Sequence, residues 1–128
     1  MSDQMGTFRI DIEIENPARP GERRAVSAAL VDTGAELTWV PANVLETLGI
    51  GRLKMLRFRQ ADGTILERYV GPALVYAGGT VTVDEVVFGA PGDMVLLGAR
   101  TLEGLNLRVD PRTKQLIDSG PAPAASLA

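Results

Sequence analysis

An all-β fold, a small barrel or sandwich, is the class this sequence predicts, and three observations carry it. Thr7 to Glu15 alternates apolar and polar residues without a break, the period of a half-buried strand. Further short apolar or alternating runs recur at close spacing, separated by Gly, Pro, Asn and Asp, as in sandwiches and barrels. Helical signals are confined to two brief segments.

In the first strand Phe8, Ile10, Ile12 and Ile14 share one face, and Arg9, Asp11, Glu13 and Glu15 the other. Asn16-Pro17-Ala18-Arg19-Pro20-Gly21 is a turn by its prolines and glycine. Ala25 to Val31 returns as a largely apolar strand, so the two form a hairpin that delivers Asp32. Glu36 to Val40 reads as a short strand. Pro41 to Gly49 reads as a short helix, with proline in its first turn and glycine just past its end. Leu53 to Gln60 and Ile65 to Val70 flank Ala61-Asp62-Gly63-Thr64, where Asp-Gly is the strongest hairpin signal in the chain. Ala73 to Ala77 and Thr80 to Phe88 are strands around Gly78-Gly79. Met94 to Leu97 is an apolar run ending at Gly98. Ala99 to Leu105 suits a short helix, Leu107 to Asp110 a strand, Pro111 to Lys114 a turn, and Gln115 to Ile117 a last strand. From Ser119 onward no periodicity remains, so residues 1–118 are expected to form one domain and 119–128 a flexible tail.

Composition narrows the function. At 128 residues, 45% hydrophobic and 23% charged, the chain matches a soluble domain with a single core. A net charge of −3 argues against a nucleic-acid partner, which requires a concentrated basic surface. With no cysteine and no histidine, disulfides, sulfur-based zinc sites and Ser-His or Cys-His nucleophile systems are excluded, leaving carboxylates as the main acid-base groups. No metal-ligand spacing and no cofactor motif is present; Glu13, Glu15, Asp84 and Glu85 read as solvated strand faces or loops. The start Met1-Ser2-Asp3-Gln4-Met5-Gly6 lacks a basic, apolar leader, and no segment approaches the roughly 20 apolar residues of a membrane span. The expectation is a cytoplasmic protein without a membrane span.

The sharpest local feature is Leu30-Val31-Asp32-Thr33-Gly34-Ala35. A carboxylate at the point where an apolar strand runs out into a glycine turn is held rigidly beside a low-dielectric core, a placement that suits acid-base chemistry. Asp-Thr-Gly is also a good turn former in its own right. The motif occurs once, so any second copy must come from another chain.

The ordered set of Leu30 to Ala35, then the hairpin Ala61-Asp62-Gly63-Thr64, then Val95-Leu96-Leu97-Gly98 before a short helix resembles the retropepsin-like aspartic proteases, the family of the retroviral proteases and their single-domain bacterial relatives. The resemblance spans roughly Thr7 to Ile117. It implies a small closed barrel of the retropepsin type with one or two short helices, working as a homodimeric aspartic endopeptidase on extended peptide or protein segments. Each chain would supply one Asp32. One carboxylate cannot be base and acid in the same step, and two about 3 Å apart cannot both be ionised, so such a pair holds one proton between them. By the same resemblance Asp32, Thr33 and Gly34 form the catalytic motif, Thr33 bonding across the dimer axis and Gly34 admitting substrate backbone. Ala35 and Glu36 line the substrate, and Ala61, Asp62, Gly63 and Thr64 form a flap that closes over it.

Many retroviral members place an arginine directly after the glycine that here is Gly98. Ala99 stands there instead, Arg100 follows, and a brace between Arg100 and Glu36 is one option. The hairpin at Ala61 to Thr64 also reads as an ordinary turn, and Trp39, the single tryptophan, as barrel packing or a pocket wall. Phe8, Ile10, Ile12, Ile14, Leu116 and Ile117 are candidates for terminal strands that pair between chains. Against the enzyme stand a catalytically weak dimeric module that binds or scaffolds peptides, and a β-barrel interaction domain without a cleft.

Overall fold

The computed structural model describes residues 8–124. The reading of Met1 to Gly6, Thr7 at the head of the first strand, and residues 125–128 of the tail lie outside them.

Among the described residues nine strands and two helices follow in the order β1 (Arg9–Glu15), β2 (Arg23–Asp32), β3 (Thr38–Pro41), α1 (Ala42–Thr47), β4 (Lys54–Arg59), β5 (Ile65–Ala77), β6 (Thr80–Gly89), β7 (Leu96–Gly98), α2 (Ala99–Gly104), β8 (Leu107–Asp110) and β9 (Gln115–Asp118). The first seven strands form one sheet in the order β1-β2-β7-β3-β6-β5-β4, and a further β1–β5 pairing closes it into a six-stranded barrel with β4 outside the ring. Barrel, not sandwich, is the outcome. β8 and β9 form a separate antiparallel pair.

The alternation of β1 works as expected at its far end, where Ile12 and Ile14 are buried almost completely. Their side chains fill this chain's own core, and at Ile14 the backbone is paired on both sides, with β2 and with β5. Phe8, Ile10 and Leu116 pack partly against the same core. Glu15 breaks the pattern: it is 4% exposed, not a solvated strand face. Its carboxylate accepts from the Tyr76 hydroxyl and the Gly21 amide, and these bonds, the Tyr76 one foremost, hold it below the usual carboxylate range. The buried acid thus pins the β1–β2 turn to β5. Register along β1–β2 shifts between Ile10 and Ile12. There Ala28 adopts a left-handed φ of 57°, and the Asp11 carboxylate accepts from its amide at 2.9 Å, a bulge that tightens the barrel wall.

Two expected strands, Ile65 to Val70 and Ala73 to Ala77, are one. β5 runs through Gly71-Pro72 because its edge changes partner there: β4 pairs as far as Val70 and β1 starts at Leu74. A proline that donates no amide is tolerated where that edge has no neighbour.

Both helices end on left-handed residues. After α1 the Gly49 amide bonds to Glu46 O and the Ile50 amide to Leu45 O, at 2.9 and 3.0 Å, with Gly49 at φ 76°, a Schellman stop. After α2 the left-handed residue is Asn106 (φ 57°), whose side chain donates to Gly120 O at 2.9 Å. The core comprises Ile12, Ile14, Val40, Leu45, Val75, Val86 and Leu97 with their neighbours. A second cluster of Leu37, Val70 and Val87 carries Trp39, Leu56 and Phe58 at its margin, beneath the β4–β5 hairpin.

Candidate active site

Asp32 ends β2, and its position follows from strand pairing. β7 lies between β2 and β3, parallel to β2 with Leu30, Val31 and Asp32 opposite Leu96, Leu97 and Gly98, and antiparallel to β3. Leu97 is fully buried. At the end of β2 the chain turns tightly: the Gly34 amide donates to Asp32 Oδ1 at 2.9 Å, and the Ala35 amide to Asp32 O at 3.1 Å. This is the side-chain-capped turn for which aspartate and glycine are suited. Asp32 is half-buried, while Thr33, Gly34 and Glu36 are exposed and Ala35 lies between.

The turn is stitched to the start of α2. The Ala99 amide donates to Ala35 O at 2.8 Å, and the Arg100 amide to Glu36 O at 2.9 Å. Gly98 is the residue this contact requires, since a Cβ there would sit 2.4 Å from Leu37 O and 3.0 Å from Ala35 O. Its amide donates to Thr38 Oγ1 at 3.0 Å. Thr38 Oγ1 lies 2.6 Å from Thr101 Oγ1, and Thr101 Oγ1 lies 3.0 Å from Asp84 Oδ2. Both threonines are completely buried.

Arg100 does not chiefly brace Glu36. Its guanidinium lies 3.0 Å from Glu85 and 3.4 Å from Asp84 on β6, against 3.9 Å from a Glu36 carboxylate that is mostly exposed. Glu85 in turn meets Lys54, at the foot of β4, at 3.1 Å. Asp84 and Glu85 are therefore structural ion-pair partners and not solvated loop residues; the Asp84 side chain is only 10% exposed.

Ala61, Asp62, Gly63 and Thr64 stand together at the exposed tip of the β4–β5 hairpin. The turn type differs from the simplest reading of Asp-Gly. The Gly63 amide donates to Gln60 O at 2.9 Å, and the Gln60 amide to Thr64 O at 2.8 Å, with Gly63 at φ 91°. Ala61 and Asp62 thus occupy the turn centre and Gly63 the left-handed bulge. The Thr64 hydroxyl and amide donate to Asp62 at 2.7 and 2.9 Å, and they hold its carboxyl below the usual range.

Behind the hairpin, Trp39 packs on Phe58 with ring centroids 5.0 Å apart, as a half-buried residue beneath β4 and β5. Arg68 of β5 forks onto Asp93, with contacts of 2.7 and 3.0 Å. That guanidinium, more than the Ala90 amide, keeps the Asp93 carboxyl below the ordinary range. Two surface hollows, one by Arg23 and Tyr76 and one by Pro41 and Asp93, are lined by other residues than Asp32.

Sequence reasoning passed over Thr38, Thr101 and the Arg68–Asp93 pair, and it read Asp84 as solvated. Each is an ordinary polar residue in a strand, a short helix or a loop, and nothing local signals its distant partner. Among the described residues, no helix is long and apolar enough to cross a membrane.

The geometry agrees with the comparisons. The solution structure of the simian foamy virus (mac) protease superposes with a TM-score of 0.50 at 22% sequence identity, covering 74% of this chain and 91% of that one, and it shows the same fold. No curated protein sequence matches. The family described as "gag-polyprotein putative aspartyl protease" matches residues 23–104, more than half of the chain, from the start of β2 through Asp32 and the hairpin to the end of α2. The protein belongs to this family of retropepsin-like aspartic proteases.

Proposed function

We propose that the protein is a homodimeric aspartic endopeptidase in which two copies of Asp32, one per chain, activate a water molecule between them. The observation that carries this reading is the Asp32 turn: a carboxylate at the end of β2, bonded to the Gly34 amide and locked against Gly98, yet facing an exposed surface. That is a rigid half of a two-carboxylate site.

Two such carboxylates facing each other hold one proton. The ionised Asp32 takes a proton from the water as the oxygen attacks the scissile carbonyl carbon, and the protonated Asp32 of the other chain gives its proton to the carbonyl oxygen. The product is a neutral gem-diol. In its breakdown the Asp32 that took the water's proton gives it to the leaving nitrogen, the other Asp32 takes a proton from a diol hydroxyl, and the C–N bond breaks with no covalent enzyme intermediate. Thr33, exposed beside Asp32, bonds across the dimer axis and sets the spacing of the two acids. Gly34 presents backbone without a side chain, so an extended peptide approaches closely. Ala35 and Glu36 flank that peptide. The hairpin tip at Ala61, Asp62, Gly63 and Thr64 closes over it and excludes water.

The deciding experiment incubates the native chain and Asp32→Asn with a diverse peptide library from about pH 4 to 7, the range in which a coupled pair holds one proton, with sedimentation in parallel. Cleavage by the native dimer and none by an equally dimeric Asp32→Asn is the expected result. Peptide binding without cleavage by either form overturns the enzyme in favour of a binding module.

A further inference from the structure

The three hydrogen bonds behind the Asp32 turn have one possible direction. A carboxylate only accepts, so in the 3.0 Å contact with Asp84 Oδ2 the Thr101 hydroxyl is the donor. That hydroxyl has a single hydrogen. The 2.6 Å contact between the threonines is therefore donated by Thr38, whose oxygen is left to accept from the Gly98 amide at 3.0 Å. The relay runs Gly98 N–H to Thr38 O–H to Thr101 O–H to Asp84, and every hydrogen in it is used.

Its far end is anchored. Asp84 Oδ1 accepts from the Glu85 amide at 2.7 Å and lies 3.4 Å from Arg100 Nε. Its near end is Gly98, the residue paired with Asp32 across β2 and β7. Hydrogen bonds in series polarise one another, and in a buried setting a broken link leaves a costly unpaired group. Thr38 and Thr101 are both 0% exposed, so water does not replace a lost member.

We propose that Thr101 and Asp84, through Thr38, are positioning residues for Asp32: they aim the Gly98 amide and thereby set the height of the Asp32 turn in the cleft. Neither touches substrate. The inference rests on the aspartic protease reading of Asp32, and it assigns this duty to residues outside the Asp-Thr-Gly motif.

Thr101→Val keeps the shape and removes the hydroxyl; Thr101→Ser restores the hydroxyl. In Thr101→Val, amide hydrogen exchange at Gly98 accelerates by about tenfold, the equivalent of one net hydrogen bond. Its kcat on a cleaved peptide falls about 10- to 100-fold, as a small misplacement of a reacting group requires, while KM stays within about twofold. Thr101→Ser recovers both. Should the valine variant not fold, Asp84→Asn, which retains the shape but not the charge, carries the same measurements and the same expected direction. Unchanged Gly98 exchange in a folded variant overturns the proposal, as does a loss that serine fails to rescue. If the native chain cleaves no peptide, the protease reading fails instead, and the Gly98 exchange still decides whether the relay holds the turn.

Discussion

Asp32 and Gly98 face each other in parallel register at the ends of β2 and β7, although they are far apart in the chain. One residue brings the carboxylate, and the other lets the two segments meet, because the backbone of Leu37 and Ala35 occupies the space a side chain at 98 would need.

Gly98→Ala therefore costs more than an ordinary glycine substitution. A methyl 2.4 Å from Leu37 O forces the loop carrying Asp32 to shift, with a loss of about 1 to 3 kcal/mol or more by the usual cost of overpacking. Gly51→Ala is the control: its Cβ meets nothing within 4 Å, and stability stays within about 0.5 kcal/mol. Denaturant unfolding of both variants checks the contrast.

The Arg68–Asp93 pair ties β5 to the Ala90–Asp93 turn, both side chains being mostly buried. Asp93→Asn is expected to lose about 1 to 2 kcal/mol at pH 7, the scale of a charge-assisted hydrogen bond. The Asp93 carboxyl titrates below its ordinary 3.8 in the folded chain, chiefly because of Arg68. Its stabilisation is complete above that ordinary value and is lost as pH falls through the lower folded one. The gap between native and variant should thus narrow from about pH 4 downward, as thermal unfolding across pH will show.

Trp39 is the single tryptophan and packs on Phe58 under the β4–β5 hairpin. Binding of a peptide to Asp32→Asn is expected to shift its emission as the hairpin moves. A peptide that binds by calorimetry and leaves the spectrum unchanged contradicts hairpin closure over the ligand.

Gly63, at φ 91° on the hairpin tip with open space around its Cα, tests the same movement from the other side. Gly63→Ala meets no neighbour but strains the left-handed turn by about 1 kcal/mol. A raised KM with kcat nearly unchanged is the expected outcome of steady-state peptide cleavage.

The proposed mechanism, with one Asp32 from each of two chains, requires a dimer. Sedimentation at micromolar concentration should show a dimer, and cleavage should vanish on dilution below its dissociation constant. A strict monomer that still cleaves peptides removes the two-chain mechanism.

What the sequence by itself determined is local. Alternation placed Ile12 and Ile14 inside, Asp32-Thr33-Gly34 announced a capped turn, Asp62-Gly63 a hairpin tip, and Gly49 a helix stop, because each is governed by residues within a few positions of one another. The closed barrel was implied by the resemblance and is present, whereas the burial of Glu15 against Tyr76, the passage of β5 through Pro72, and the convergence of Thr38, Thr101 and Asp84 behind Gly98 were decided only by tertiary structure. Most of those contacts join residues about 60 positions apart, and Thr101 and Asp84 are 17 apart. A threonine or a glutamate carries no mark of its distant partner; only the register in which the strands close tells which polar groups lose water and must find one another.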